Sequence, residues 1–502
     1  MVARLKSLPF LLLLQGIGAV AMFVPAIYAF QVRSLHVSRS FFYSGLVFSM
    51  LFLLLAVAVS GRGGDRRARG QLLGLLGALT LLPVMLAVPF HESVPGASFF
   101  ACWFEMVSSI TTTGASLFSE PGRLPSALHL WRAMVGWMGG LLFWVSALAI
   151  LAPLNLGGFE VVSTDMTAAG RAALRERRAG DAGMRLRRYG ARLAPVYAGL
   201  TLALWAILVM TGLAPLEGAI IAMSTLSTSG IAPGGWQSPG VLPEIAIFVF
   251  LFFAVSRLTF RNDFITRERG YLLRDPEIRL ALVLVLAIPG FLFLRHWLGA
   301  IETNEQENLG RALAAFWGAM FTTLSFLTTT GFEGSTFEQA RFWSGLPTPG
   351  LVLMGLSIIG GGVATTAGGV KLLRIYALYK HGTREMGRLV HPSSVGGAGS
   401  SGRRLRREGA FVAWIFFMLF AMTIGAIWAA LALTGLRFTE AAVITVAALS
   451  TNGPLAAVGG QNAIAWRELN TAAQVIVAAT MVLGRLELLA IIALFNRDVW
   501  RG

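Results

Sequence analysis

Four hydroxyl-rich tetrapeptides that end in glycine recur along the chain and constrain its fold more than any other feature. They are TTTG at 111–114, STSG at 227–230, TTTG at 328–331 and STNG at 450–453. Each follows an apolar stretch that is too short to cross a bilayer comfortably, and each precedes a full-length apolar run. Four strands that meet around one axis can replace the hydration shell of a cation with carbonyl and hydroxyl oxygens. Glycine, which lacks Cβ, can adopt the positive φ that turns its carbonyl towards such an axis.

One such tetrapeptide alone is more often a turn or a helix-packing patch than part of an ion path. Four of them at matched positions, each after a short apolar segment, favour a pore. Non-helical backbone at membrane depth is tolerated only where it lines a cavity or is buried in protein. Four such segments at one depth therefore predict a single central pore.

The composition is that of a membrane protein. The chain has 502 residues, of which 55% are hydrophobic and only 13% are charged, and its mean hydropathy is +0.69. Arg4 and Lys6 precede an apolar run that continues to about residue 30, which is longer than the apolar core of a signal peptide. We therefore predict a retained transmembrane helix there. The single cysteine, Cys102, excludes an intrachain disulfide.

The chain has a net charge of +16, and the predicted topology explains the positions of most of its basic residues. Roughly 31 of the 41 Lys and Arg residues fall in segments on one side of the membrane, as the positive-inside rule predicts for cytoplasmic loops. This topology explains the charge better than nucleic-acid binding does, and we expect no nucleic-acid partner. The basic segments at 62–69, 171–192, 257–279 and 371–407 are available to contact anionic lipid or an acidic partner.

The apolar runs divide the chain into an N-terminal hairpin and four similar repeats. Each repeat contains a long helix, a short re-entrant helix, a tetrapeptide and a second long helix, so all repeats have the same orientation. We predict an all-α polytopic membrane protein with four parallel helix–pore-loop–helix repeats, pseudo-fourfold symmetry and an N-terminal transmembrane hairpin. The predicted boundaries are 1–62 for the hairpin and 63–160, 161–265, 266–390 and 391–502 for repeats 1 to 4.

The re-entrant helices are predicted to aim their C-terminal ends at the ion path. Their predicted bounds are 98–110, 215–226, 310–326 and 438–449. Each of these ends carries a partial negative charge, which favours a cation. Glu217 and Glu440 lie near the N-terminal ends of two of the helices, where a carboxylate suits the helix dipole.

A glycine-rich motif, GGGVATTAGG at 360–369, interrupts an otherwise apolar span. Five of its ten residues are glycine, and each costs about 1 kcal/mol relative to alanine in a helix. We predict an unwound intramembrane loop in which Thr365 and Thr366 offer hydroxyls to a passing ion. The alternative is close packing of helices through small residues.

Arg485 lies inside the last apolar span, where a charge is costly and usually faces a cavity or a partner. One interpretation is a structural ion pair with a carboxylate such as Glu487 or one from another helix. Glu487 is only two residues away and would point elsewhere on a straight helix. The other interpretation is an electrostatic barrier beside the glycine-rich loop.

Several stretches resemble the Trk/Ktr/HKT superfamily of potassium transporters, and most of all its bacterial TrkH/KtrB branch. The resemblance covers about residues 71–495 and the N-terminal hairpin, and its most specific parts are ITTTGAS (110–116), LTTTGFEGSTF (327–337), WRAMVGWMGGLLFWVSALAILAPLNLGG (131–158), GGGVATTAGGVKLLRIY (360–376) and LGRLELLAIIALF (483–495). It implies a selectivity filter with one key glycine from each repeat. Because none of the four glycines is replaced by the serine that goes with sodium transport in some plant members, the resemblance implies potassium.

The resemblance also assigns expected roles to individual residues. The ion-binding filter residues would be Thr111, Thr112, Thr113, Gly114, Ser227, Thr228, Ser229, Gly230, Thr328, Thr329, Thr330, Gly331, Ser450, Thr451, Asn452 and Gly453. The gate would consist of Gly360, Gly361, Gly362, Thr365, Thr366, Gly368, Gly369, Lys371 and Arg485. In the family this loop blocks the pore below the filter and moves on gating, and Lys371 would help to hold it.

The resemblance implies potassium uptake across the bacterial cytoplasmic (inner) membrane by a homodimer. K⁺ would be the transported ion, and no organic cofactor is expected on this chain. No Walker A motif occurs in the sequence, and its one G-x-G-x-x-G pattern, GAGSSG at 397–402, lies in a Gly/Ser-rich stretch and not between a strand and a helix as a Rossmann fingerprint requires. The family recruits a separate cytosolic nucleotide-binding regulatory subunit of the TrkA/KtrA type, which the basic segments are available to dock.

Two other function classes remain open from the residues alone. A secondary transporter with broken helices and alternating access is disfavoured because such transporters often use inverted repeats, whereas these repeats are parallel. Ion flux driven by a voltage gradient alone would distinguish a pore from such a transporter. A membrane enzyme would need clustered His, Asp or Glu within the spans, where only Glu487 and Arg485 are plausibly deep, and we expect no enzymatic activity.

Overall fold

The computed structural model describes residues 9–59, 68–118, 122–154, 156–161, 182–256, 275–303, 309–338, 350–391 and 407–495. Within these ranges all regular structure is helical and no strand occurs, as predicted. Residues 60–67, 162–181, 257–274 and 392–406, which include much of the predicted basic segments, lie outside the described residues. The predicted boundaries at 62 and 265 also lie outside them, so the division into repeats stays a prediction.

The N-terminal hairpin consists of two antiparallel apolar arms. The first arm is formed by α1 (Phe10–Ala21) and α2 (Phe23–Gln31), and the second by α3 (Leu35–Val59). Only 11% of the most apolar part of α3 is buried within the protein. Because this helix is apolar on its exposed side, it is suited to face lipid.

The remaining helices occur in the predicted order, but in repeats 2 and 3 the second helix is shorter than the re-entrant helix before it, with 11 residues after 13 and 10 after 19. Repeat 1 contains α4 (Ala68–Thr80), α5 (Leu82–Ser93), α6 (Phe99–Ile110) and α7 (Ser126–Ser146), which a π-helical turn (Ala147–Leu151) extends. Repeat 2 contains α8 (Ala182–Met210), α9 (Pro215–Ser227) and α10 (Val241–Leu251), followed by a 3₁₀ turn (Phe252–Ala254). Repeat 3 contains α11 (Pro276–Thr303), α12 (Leu309–Leu327), α13 (Gly350–Ile359) and α14 (Leu372–Val390). Repeat 4 contains α15 (Arg407–Leu433), α16 (Phe438–Leu449), the short α17 (Leu455–Val458), α18 (Thr471–Leu486) and α19 (Leu488–Phe495).

Two apolar runs of the sequence are interrupted in the structure. Helix α10 ends at Leu251 and is followed by a 3₁₀ turn, although the apolar run continues beyond it. The last apolar run, which contains Arg485, is interrupted at Glu487, whose φ of 62° no right-handed helix accepts. Hydropathy reports burial in an apolar environment and not backbone continuity, so neither break is visible in it.

Six helical segments of the described chain are long and apolar enough to cross a membrane by length and composition. They are Phe10–Gln31, Leu35–Val59, Gly70–Ser93, Ser126–Leu151, Arg185–Met210 and Gly409–Leu433. Of the most apolar part of Ser126–Leu151, 72% is buried inside the protein, whereas the share is 28% for both Arg185–Met210 and Gly409–Leu433. The second long helix of repeat 1 therefore lies inside the protein, and the first long helices of repeats 2 and 4 lie on its periphery.

The re-entrant helices α6, α9 and α16 are too short to cross a bilayer. Helix α6 has 12 residues, which is about 18 Å at 1.5 Å per residue, against about 30 Å for the hydrocarbon core. Its N-cap is Ser98, whose hydroxyl accepts a hydrogen bond from the Ala101 N–H at 3.1 Å. Glu217 and Glu440 lie in the first turns of α9 and α16, as predicted.

Candidate ion filter and gate

The four tetrapeptides share one backbone turn at the end of their re-entrant helices. In each of them the second residue, a threonine, has a left-handed conformation: φ is 56° at Thr112, 51° at Thr228, 57° at Thr329 and 53° at Thr451. A β-branched residue is strained there by about 1–3 kcal/mol and persists only when its surroundings impose it. The same strain at four equivalent positions indicates that the four segments are constrained in the same way.

The glycines that end the tetrapeptides do not all share one conformation. Gly114, Gly230 and Gly331 have positive φ values of 76°, 65° and 81°, as predicted for carbonyls turned towards an axis. Gly453 lies outside the positive-φ region. It is followed by Pro454, which restricts the backbone of the residue before it. The fourth repeat therefore departs from the other three at its glycine.

The four tetrapeptides form a closed cycle of contacts, which we call the tetrapeptide ring (111–114, 227–230, 328–331 and 450–453). A Cβ added to any of the four glycines would overlap the third residue of the next tetrapeptide. The overlaps are Gly114 with the Ser229 carbonyl, Gly230 with the Thr330 carbonyl, Gly331 with Asn452 Oδ1 and Gly453 with the Thr113 carbonyl. Repeats 1, 2, 3 and 4 thus meet in order around one axis, and repeat 4 returns to repeat 1.

In the first three repeats the hydroxyls of the first and third tetrapeptide residues bond to each other. The distances are 2.9 Å for Thr111–Thr113, 3.0 Å for Ser227–Ser229 and 3.2 Å for Thr328–Thr330. The first hydroxyl also donates to the preceding helix, for example from Thr111 to the Val107 carbonyl at 2.7 Å. These hydroxyls therefore fix the turn.

Asn452 replaces the third hydroxyl in the fourth repeat. Its Nδ2 donates to the Ser357 hydroxyl at 2.8 Å, which ties the ring to α13. Its Oδ1 is buried and accepts no hydrogen bond, and neither does the buried hydroxyl of Ser450. The Thr112 and Thr451 hydroxyls are likewise buried without a partner. Such oxygens are suitable ligands for a dehydrated cation.

Glu105 supports the segment that leaves the first tetrapeptide. It is fully buried in α6 and forms an ion pair with Arg132 of α7, with 2.9 Å between Arg132 Nε and Glu105 Oε2. Its other oxygen accepts hydrogen bonds from the Ser116 hydroxyl at 2.8 Å and the Leu117 N–H at 2.6 Å. The carboxylate thus fixes the chain directly after Gly114.

Glu244 supports the third tetrapeptide from the neighbouring repeat. It is fully buried in α10 and accepts hydrogen bonds from the Ser335 N–H at 2.5 Å and from Trp317 Nε1 at 2.8 Å. The Ser238 hydroxyl donates to the same carboxylate. Residues 335 and 317 belong to repeat 3, so this side chain joins repeats 2 and 3.

An aromatic stack adds to the same junction. Trp236 stacks on Phe332, the residue after Gly331, with 3.8 Å between the ring centroids. The Trp236 indole also donates to the Glu333 carbonyl at 2.7 Å. Neither this stack nor the roles of Glu105 and Glu244 were predicted. A carboxylate inside the apolar run VLPEIAIFVF was an available signal for Glu244, because such a charge needs buried partners.

Residues 360–371 form an irregular segment between α13 and α14, which we call the glycine loop. Positive φ values occur at Gly360 (72°), Ala364 (55°), Gly369 (77°) and Lys371 (87°). The loop closes on α13 through hydrogen bonds from Val370 N–H to the Ile358 carbonyl at 2.9 Å and from Lys371 N–H to the Ile359 carbonyl at 2.8 Å. The segment is therefore not a helix packed through its small residues.

The glycine loop touches the tetrapeptide ring at the first two residues of the tetrapeptides. The Gly368 N–H donates to the Thr329 hydroxyl at 2.8 Å, and a Cβ on Gly368 would overlap the Ser450 carbonyl. The Thr366 hydroxyl donates to the carbonyl of Leu226, the residue before the second tetrapeptide, at 3.1 Å. The Thr365 hydroxyl donates within the loop to the Gly362 carbonyl at 2.8 Å. The loop thus lies against the ring at the end opposite the glycines.

Two buried cations hold carbonyls of the glycine loop. Arg485 Nη1 donates to the Thr366 carbonyl at 2.7 Å, and the Lys371 ammonium donates to the Ala367 carbonyl. The Arg485 guanidinium lies 4.1 Å from the ring centroid of Phe143, and its Nε and Nη2 atoms are buried without hydrogen-bond partners. The predicted gate residues therefore lie together in space.

Arg485 does not pair with Glu487. The Glu487 carboxylate forms an ion pair with Arg374 of α14 at 2.9 Å, and the Arg374 guanidinium lies 3.6 Å from the ring centroid of Phe416. Glu487 has a φ of 62° and does not continue the helix that contains Arg485. The alternative of an Arg485–Glu487 pair is therefore not what the structure contains.

Comparisons with known proteins agree with this architecture. The sequence profile of the TrkH family, described as cation transport protein, matches residues 246–499. The chain is 30% identical over 462 residues to the Trk system potassium uptake protein TrkH of Salmonella typhimurium, covering 90% of this chain and 91% of that protein. The corresponding protein of Escherichia coli K12 is 29% identical over the same coverage.

A solved structure shares the whole fold. The crystal structure of the potassium transporter TrkH from Vibrio parahaemolyticus matches with a TM-score of 0.81 and 26% sequence identity, and the match covers 100% of both chains. The family is one of transport proteins and not of enzymes. From the family profile, the relatives and this fold we conclude that the chain belongs to the TrkH family of cation transport proteins.

Proposed function

We propose that this chain takes up potassium across the bacterial cytoplasmic membrane through the tetrapeptide ring. The observation that carries the proposal is the closed cycle of contacts in which each glycine packs against the third residue of the next tetrapeptide. The cycle surrounds one axis with backbone carbonyls from four re-entrant segments, which is the arrangement that replaces an ion's hydration shell. The relatives named above are potassium uptake proteins, which supports K⁺ as the transported ion.

The C-terminal ends of the re-entrant helices reinforce this preference for a cation. Each tetrapeptide lies at the C-terminal end of α6, α9, α12 or α16, where the helix dipole contributes about half a negative charge. Buried side-chain oxygens without partners, such as Thr112 Oγ1 and Thr451 Oγ1, add further acceptors. The lipid bilayer supplies the insulating surroundings, and no organic cofactor is part of the proposed mechanism.

We propose that the glycine loop and Arg485 form a gate below the ring. The loop blocks the path by its position against Thr329 and the Ser450 carbonyl, and the guanidinium repels a cation that passes the Thr366 carbonyl. A unit charge about 4 Å from a cation at an effective dielectric constant of about 20 is worth roughly 4 kcal/mol. An uncompensated barrier of that height slows passage by about three powers of ten.

We also propose that two copies of the chain work together with a cytosolic nucleotide-binding regulatory subunit of the TrkA/KtrA type. The resemblance of the sequence to the Trk/Ktr/HKT superfamily supports this assembly. Native mass measurement in mild detergent should give two copies. A monomer that retains full activity would contradict the dimer.

Flux from purified protein in liposomes tests the proposed function. We expect K⁺ to move under a voltage gradient alone and Na⁺ to move more slowly under the same gradient. Voltage-driven flux also separates a pore from an alternating-access transporter. Liposomes without protein provide the leak. Equal K⁺ and Na⁺ flux, or no flux above the leak, would contradict a potassium pore.

A further inference from the structure

We propose that Glu277 is a positioning residue that holds the glycine loop in its blocking conformation through the backbone amide of Val363. Glu277 lies in the first turn of α11 and is 1% exposed. Its Oε1 accepts a hydrogen bond from the Val363 N–H at 2.8 Å. The inference rests on the gate proposed above, and it assigns to that gate a residue outside the glycine-rich motif.

A second contact restrains the neighbouring amide of the loop. The Gly362 N–H donates to the carbonyl of Ala254 at 3.1 Å, at the end of the 3₁₀ turn that follows α10. A Cβ on Gly362 would overlap the Val255 carbonyl, so the loop and this turn are in direct backbone contact. Two consecutive loop amides are therefore held by the last described turn of repeat 2 and the first turn of repeat 3.

These two turns are also bonded to each other. The Ser256 hydroxyl donates to the Asp275 carboxylate, and the other oxygen of Asp275 accepts from the Glu277 N–H at 3.1 Å. The latter bond caps the first turn of α11. We call Ala254, Ser256, Asp275 and Glu277 the junction clamp, because Ala254 and Glu277 bind the loop and the hydrogen bonds of Ser256 and Asp275 connect their two turns.

The junction clamp and the two cations of the loop bind backbone groups of opposite polarity. Glu277 and Ala254 accept from N–H groups at residues 362 and 363, whereas Lys371 and Arg485 donate to carbonyls at residues 366 and 367. In the blocked position, two N–H groups and two carbonyls of the loop backbone thus have hydrogen-bond partners. A buried amide that loses its acceptor destabilises the conformation that buries it. Removing the Glu277 carboxylate should therefore favour the open loop.

Glu277→Ala in proteoliposomes tests this role against two comparison variants. We expect Glu277→Ala to raise K⁺ flux roughly tenfold, because the Val363 amide loses its acceptor, with the K⁺/Na⁺ ratio of the parent. Glu277→Gln should stay near the parent flux, because its amide oxygen can still accept from Val363. Glu217→Ala, which also removes a carboxylate from the first turn of a helix, should stay at the parent flux.

Val363→Pro provides a second route to the same bond, because it removes the N–H and leaves Glu277 in place. It should raise flux like Glu277→Ala, and the double variant should open no further than either single variant. If Glu277→Ala does not fold, Val363→Pro decides alone. Additive effects in the double variant would overturn the proposal, because Glu277 would then act elsewhere.

Deletion of several residues between Gly361 and Gly368 separates the clamp from the gate. If the deletion raises flux while Glu277→Ala and Val363→Pro remain at the parent level, the clamp is overturned and the gate stands. If all three remain at the parent level, the gate itself is overturned and the clamp with it. An altered K⁺/Na⁺ ratio in Glu277→Ala would also overturn the clamp, because it would mean that Glu277 acts on the tetrapeptide ring.

Discussion

The backbone N–H of Gly453 donates a hydrogen bond of 2.6 Å to the carbonyl oxygen of Thr113, and this bond joins the last tetrapeptide of the chain to the first. It closes the tetrapeptide ring between repeats that lie at opposite ends of the sequence. Gly453 thus donates a hydrogen bond to the next tetrapeptide, and it also differs from the other three glycines in its φ. The ring is therefore fourfold in its contacts but not fully fourfold in its backbone.

Gly453→Ala should open this closure. The added Cβ would overlap the Thr113 carbonyl, and forced packing of this kind costs about 1–3 kcal/mol. We expect a lower melting temperature in detergent and a lower K⁺/Na⁺ flux ratio. Gly425→Ala in α15 is the matched control, because a Cβ there meets nothing within 4 Å. An unchanged flux ratio in folded Gly453→Ala would separate this contact from selectivity.

Glu244 should affect both stability and selectivity through the third tetrapeptide. Glu244→Ala leaves the Ser335 N–H and the Trp317 indole without their acceptor, at about 1–3 kcal/mol for each buried donor. Glu244→Gln keeps the shape but can accept at only one atom, so we expect a smaller loss.

The melting temperature and the K⁺/Na⁺ flux ratio should both decrease from the parent to Glu244→Gln and again to Glu244→Ala. Glu440→Gln, at the more exposed start of α16, should leave both quantities unchanged. A Glu244→Ala variant with parent stability and parent selectivity would show that the junction of repeats 2 and 3 does not support the ring.

Arg485→Ala should raise K⁺ flux and leave selectivity intact, because the guanidinium contacts the glycine loop and not the glycines of the ring. The proposed barrier of roughly 4 kcal/mol sets an upper limit of about three powers of ten for the increase. Arg437→Ala, which removes a largely exposed arginine, is the control for general loss of charge. Flux at the parent level in Arg485→Ala would make Arg485 a structural charge.

The sequence predicted those features of the fold that depend on local pattern. The re-entrant helix predicted at 438–449 is observed at Phe438–Leu449, and that predicted at 98–110 is observed at Phe99–Ile110. The length of an apolar stretch and the hydroxyl-rich turn that ends in glycine both depend only on consecutive residues, so the sequence is enough to predict them. The irregular backbone of the glycine loop was predictable for the same reason, because five glycines in ten residues disfavour a helix.

The features that the sequence did not predict are contacts between distant residues. Glu244 meets Ser335, and Glu277 meets Val363, across elements whose separation in the chain says nothing about which carboxylate reaches which amide. The Gly453 N–H likewise meets the Thr113 carbonyl of another repeat. The break at Glu487 was hidden for a related reason, because the Arg374 partner that Glu487 meets lies in another helix.

The K⁺/Na⁺ flux ratio of Gly114→Ser and Gly331→Ser in proteoliposomes tests the central claim most directly. Both glycines have positive φ and pack against the next tetrapeptide, so a Cβ and a hydroxyl must displace the carbonyls around the axis. We predict a lower K⁺/Na⁺ ratio in each variant, whereas Gly382→Ser in α14, where a side chain meets nothing within 4 Å, keeps the parent ratio. A parent ratio in both folded variants would contradict the claim that the tetrapeptide ring selects the ion.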